Sequence, residues 1–134
     1  MKNTTRRKFI TAAGLLGLGA SNAMASGKKE KKYALVHHAF LWLKNPDSAE
    51  DRAKLVEGVK TLAKVDTVRE LHVGTLAATE KRDVVDASWS VSELIFFDDL
   101  AGQAAYQKHQ VHLDFIKNYG HLWSKVVVYD ATEV

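Results

Sequence analysis

The sequence predicts an α+β domain whose elements run β-α-β-β-α-β. Three observations lead there. Apolar residues alternate, or run together, in four short stretches and recur at helical spacing in two longer ones. Of the 134 residues, a leader of 25 is set aside, and the roughly 109 that remain suffice for one hydrophobic core but not for two. The first strand is apolar on both of its faces, which demands a covering layer on each side.

Tyr33 to Lys44 is rich in aromatic and aliphatic residues and ends at the turn-forming Asn45 and Pro46, so it reads as the first strand. Ser48 with Asp51 three residues on resembles a capping pair, and Leu55, Val59 and Leu62 follow at helical spacing, giving a first helix over Ala49 to Val65. Val68 to Leu76 alternates as a second strand, with Leu71 and Val73 on one face and a bend expected at Gly74. The polar stretch from Ala77 to Ser88 is a loop. A third strand covers Trp89 to Phe97, and Asp98 or Asp99 caps the second helix. That helix is expected to break near Gln110, continue to Tyr119 and stop at Gly120, before a last strand from Leu122 to Asp130. This is the split arrangement of ferredoxin-like domains, a four-stranded antiparallel sheet with both helices on one face.

The other face then needs its own cover. His37, Ala39, Leu41 and Leu43 point one way from the first strand and Val36, His38, Phe40 and Trp42 the other. Two sheets packed face to face would bury the second set, so a homodimer closing into a barrel-like sandwich is expected.

The leader has its own chemistry. Thr5, Arg6, Arg7, Lys8, Phe9 and Ile10 form a twin-arginine motif, followed by a weakly apolar run to Ala20 loosened by three glycines. A membrane span needs roughly 20 predominantly apolar residues, which this run lacks. Ala23, Met24 and Ala25 form an A-x-A cleavage triplet, so residues 1–25 are expected to be a signal peptide, 26–32 a basic linker and 33–132 the folded domain. The expected location is periplasmic or secreted by the twin-arginine route, with no stable membrane anchor after cleavage.

Removing the leader also removes Lys2, Arg6, Arg7 and Lys8, which leaves 15 basic against 16 acidic residues, a net charge of −1 with His neutral. Nucleic-acid binding loses the basic footprint it would require. The absence of cysteine rules out disulfides, thiolate metal sites and a cysteine nucleophile. No serine sits in a nucleophile elbow, and no glycine-rich phosphate loop is present.

The stretch Tyr106, Gln107, Lys108, His109, Gln110, Val111, His112 gathers one phenol and two imidazoles, side chains able to trade protons near neutral pH. In a continuous helix all three lean to one side. The same spacing also fits a structural reading, in which Tyr106 packs on the core and the imidazoles satisfy hydrogen bonds. Glu93 interrupts the otherwise apolar set Trp89, Val91, Ile95 and Phe97 on the third strand. It is a paired buried charge, a sheet-edge residue, or a pocket acid beside His37 that would hold an imidazole tautomer. His37 and His38 face opposite ways and cannot chelate one metal. His109, His112 and Glu93 offer a two-His, one-carboxylate set only if the helix holds its spacing, and no metal or cofactor is expected.

The chain resembles the dimeric α/β barrel proteins of the stress-response A/B barrel family, Dabb, over residues 33 to 132. The resemblance rests on His37 through Lys44, on Phe97 before Asp98 and Asp99, on Tyr106, His109 and His112, and on the last strand with Trp123, Lys125 and Asp130. The family pattern has proline where Gln110 stands here. In a plant polyketide cyclase of this family a Tyr and His pair assists an intramolecular aldol condensation in a pocket between helices and sheet. The resemblance therefore implies His112 as general base, Tyr106 as its partner or an enolate stabiliser, His37 on the pocket wall, and His109 and Trp123 as secondary members. It implies a small apolar or carbonyl-bearing ligand, with cyclase, isomerase or lyase chemistry needing no cofactor. The alternative is a non-catalytic, ligand-binding or stress-protective dimer. A third class, the oxygen-dependent or haem-linked activity of related dimeric barrels, ranks below both.

Overall fold

The computed structural model describes residues 33–134, so the expected signal peptide and the whole of the linker lie outside the described residues. The element order is β1 (Leu35–Leu43), α1 (Ala49–Thr61), β2 (Glu70–Gly74), β3 (Val91–Phe97), α2 (Leu100–Lys108), α3 (Gln110–Tyr119) and β4 (Trp123–Thr132). Short 3-10 turns at Leu62–Lys64 and Gly120–Leu122 extend the ends of α1 and α3. All pairings are antiparallel, in the order β2-β3-β1-β4, which is the ferredoxin-like sheet. No helix among the described residues is long and apolar enough to cross a membrane.

Local chemistry sets most boundaries. The Asp51 backbone N–H donates to Ser48 Oγ at 3.1 Å, which starts α1. Asp99, rather than Asp98, caps α2 by accepting from the Gly102 N–H at 2.7 Å. Asp98 instead receives the Arg69 guanidinium at 2.8 Å. The third strand begins at Val91, not at Trp89. The Trp89 indole N–H is committed to the Asp86 carbonyl at 3.0 Å, and its ring lies against Phe40, on the opposite face of the sheet from Glu93.

The core lies between sheet and helices. Leu55, Val59 and Leu62 from the first helical segment meet Val91, Ile95 and Phe97 of β3, all fully buried. Burial of one such side chain contributes about 1.5–3 kcal/mol. Gly58 lets α1 approach α3, since a Cβ there would fall 2.6 Å from the Tyr119 ring. Strand β1 alternates as expected, with Leu35, His37, Ala39, Leu41 and Leu43 buried under the helices and Val36, His38, Phe40 and Trp42 half-buried on the outer face. That outer face is aromatic. Phe40 touches His38, Trp89 and Tyr129, with ring centroids 4.2, 5.2 and 6.2 Å apart.

The break expected near Gln110 is present and divides the segment into two helices, α2 and α3. His109 is extended (ψ 141°), and its Nδ1 accepts the Val111 N–H at 3.0 Å, so it closes α2 and caps α3 at once. Gln110 is the first residue of α3, a position that favours proline because the N–H there needs no intrahelical partner. The break survives without proline for two reasons: the His109 imidazole supplies the cap, and Gln110 donates from Nε2 to Asp114 Oδ1 at 2.7 Å.

Candidate active site

The register of the sheet assembles the site. On the helix-covered face His37 lies opposite Asp130 of β4, while its β1 neighbour Ala39 lies opposite Glu93 of β3. His37 is 3% exposed and Glu93 is 4% exposed. His37 Nδ1 lies 2.6 Å from Asp130 Oδ1, and its Nε2 lies 3.6 Å from Glu93 Oε1. From above, the fully buried Tyr106 donates its hydroxyl to Glu93 Oε1 at 3.2 Å.

The turn at His109 brings His112 back over Tyr106, with ring centroids 4.6 Å apart. Tyr106 thus stands between the two imidazoles, its ring centroid 5.7 Å from that of His37. His109 goes elsewhere. Its Nδ1 is spent on the cap and its Nε2 faces Asp66 at 3.9 Å, so the break that joins Tyr106 to His112 also takes His109 out of the cluster.

A cavity of about 130 Å³ opens between α3 and the edge strand β4. Its polar end holds His37, Glu93, Gln107 and His112. The remaining wall is apolar, with Leu41, Val126 and Val128 as floor and Phe115, Ile116 and Trp123 around it. Trp123 stacks on Phe115 with centroids 5.3 Å apart. Tyr106 does not line the cavity, so it acts from behind the wall, on Glu93 and His112.

The pKa values of the two imidazoles are shifted in opposite directions. Burial works to lower the His37 pKa, but the hydrogen bonds and charges of Glu93 and Asp130 together outweigh it, and the net shift is upward. For His112 burial dominates and the pKa falls, despite smaller opposing contributions from Glu93 and the Gln107 backbone. Its Nδ1 is buried without a hydrogen-bond partner. Burial, reinforced by Glu93, pushes the Tyr106 phenol far above its ordinary range, so it stays protonated. The arrangement is a base whose pKa is lowered, a donor whose pKa is raised and a phenol that hydrogen-bonds the Glu93 carboxyl group beside them. Among the described residues no group of three or more His, Cys, Asp or Glu side chains is placed to hold a metal ion. The set His109, His112 and Glu93 is not brought together.

Asp130 is the member that sequence reasoning did not place at the site. Its signal is parity: Val126, Val128 and Asp130 alternate along β4, and the acid lies on the same face as His37 once β4 is paired with β1.

The sequence belongs to the Stress responsive A/B Barrel Domain family, Dabb, which it matches over residues 35–133. Among solved structures it is similar to a dimeric ferredoxin-like protein of unknown function from Bacteroides fragilis, at 16% identity and a TM-score of 0.60, covering 76% of this chain and 100% of the other. A Dabb family protein from Mesorhizobium loti shares 17% identity with a TM-score of 0.61, over 77% and 99% of the two chains. A hydroxynitrile lyase from Passiflora edulis shares 16% identity with a TM-score of 0.60, over 78% and 96%. Among curated proteins, none matches the sequence. At these identities the solved structures speak for the fold.

Proposed function

We propose that this chain is an exported homodimer whose cavity performs acid/base chemistry of the lyase, cyclase or isomerase type on a small carbonyl compound. The observation that carries the reading is the pair of imidazoles of opposite charge preference at one end of one cavity. His112, whose ring lines the cavity and whose pKa burial lowers, takes a proton from carbon or oxygen of the ligand. His37, held by Asp130, presents Nε2–H to the oxygen on which negative charge develops. Its 3.6 Å separation from Glu93 leaves that N–H loosely engaged. Tyr106 positions Glu93 and packs on His112, so the oxyanion role assigned to it by resemblance passes to His37. The fold relationship to a hydroxynitrile lyase supports this class of chemistry.

Homodimer formation is supported by the aromatic outer face and by the dimeric state of the Bacteroides fragilis neighbour. Export rests on Arg6, Arg7 and the Ala23, Met24, Ala25 triplet. The predominantly apolar lining of the cavity supports a second reading, in which the dimer only holds an apolar ligand.

Native mass spectrometry of the protein purified from its own periplasm, with small molecules extracted and identified, tests the proposal. A dimer carrying a carbonyl compound that wild type converts and His112→Ala does not supports catalysis. A bound compound left unchanged by both favours the second reading. A monomer, or a precursor retained in the cytoplasm with residues 1–25 attached, counts against the dimer or the export step respectively.

A further inference from the structure

The polar end of the cavity has an uneven charge count. Three ionisable side chains line it, His37, Glu93 and His112, and no lysine or arginine does. The His37 ring is already engaged by Asp130 at 2.6 Å, closer than its 3.6 Å approach to Glu93. Glu93 has no other ion pair among the described residues, and at 4% exposure water screens it poorly. The Tyr106 hydroxyl hydrogen-bonds Glu93 without neutralising it.

We propose that Glu93 is a specificity-determining residue that makes the cavity accept neutral or cationic ligands and turn away carboxylates. This rests on the cavity being the ligand site. A ligand carboxylate at the polar end would place a second anion beside Glu93 at low local dielectric, where like charges repel strongly. A hydroxyl or ammonium in the same place can donate to Glu93. The substrate class narrows accordingly to carbonyl compounds without a carboxylate near the reacting carbon.

Three probes of one skeleton test this: benzyl alcohol, benzylamine and benzoate, titrated at pH 7.5 against the full domain while the Trp123 indole N–H is followed by NMR. Wild type should bind benzyl alcohol and benzylamine at least tenfold more tightly than benzoate. In Glu93→Gln the gap between benzyl alcohol and benzoate should close by tenfold or more. Val128→Lys adds a cation at an exposed lining position and keeps the buried network whole, and it should raise the relative affinity for benzoate several-fold. Equal binding of benzoate and benzyl alcohol by wild type overturns the proposal, as does a gap that neither variant narrows. If no probe moves the Trp123 signal, the cavity itself fails as a ligand site and the proposed function falls with it.

Discussion

His37 Nδ1 and Asp130 Oδ1 meet at 2.6 Å across 93 residues of sequence, joining the first and last strands of the domain beneath α3. The contact fixes which ring nitrogen faces the cavity. It also ties the charge of a buried imidazole to a carboxylate whose other side is open to solvent.

Asp130→Asn should therefore lower the His37 pKa, read by NMR titration of the ring protons. In wild type the folded-state value lies above the unfolded 6.5, so the stability this histidine contributes is complete below 6.5 and is lost as pH rises through the folded value. The difference in unfolding free energy between wild type and Asp130→Asn should shrink across that window. A constant difference from pH 6 to 9 would contradict it.

His112 should behave in the opposite sense. Its folded pKa is lowered, so the stability tied to its neutral form is complete above 6.5 and declines as pH falls toward the folded value. Turnover should follow the same deprotonation. His112→Ala should reduce kcat by about 10²–10⁴-fold, the usual contribution of a general base. An acid limb in kcat/KM that persists in this variant would assign the base elsewhere.

Tyr106→Phe removes the hydroxyl that Glu93 accepts and leaves a buried carboxylate short of a partner. The expected cost is about 1–3 kcal/mol in urea unfolding. A variant of unchanged stability but abolished turnover would restore Tyr106 as a group that touches the ligand.

The turn between α2 and α3 offers a double-mutant test. Gln110→Pro should be neutral or stabilising within about 1 kcal/mol, because proline suits the first helical position and holds its predecessor extended. His109→Ala removes the cap on Val111 and should cost about 1 kcal/mol in the parent chain, but clearly less when proline already fixes the turn. Strict additivity would mean the imidazole does not hold the break.

Phe40→Asp places a charge at the centre of the aromatic outer face, beside His38, Trp89 and Tyr129. Sedimentation should show loss of the dimer at micromolar concentration with the far-ultraviolet spectrum retained. A variant that remains a dimer would move the interface off this face.

The sequence by itself determined the element order, the two faces of β1 and the caps at Ser48 and Gly120, because period, turn chemistry and capping act within a few residues. It also singled out Tyr106 and His112 by their close spacing and Glu93 as an acid on an otherwise apolar face, while His37 as a site residue was implied by the family resemblance. Tertiary structure decided what they do. Helical spacing grouped His109 with Tyr106 and His112, but one extended residue at the α2–α3 junction redirects the chain and makes a secondary site candidate into a cap. Asp130 entered the site through strand register, a relation between distant segments that local periodicity does not encode. The opposite charge preferences of His37 and His112 arise from burial and from which carboxylates reach each ring, and only the packed fold sets those distances.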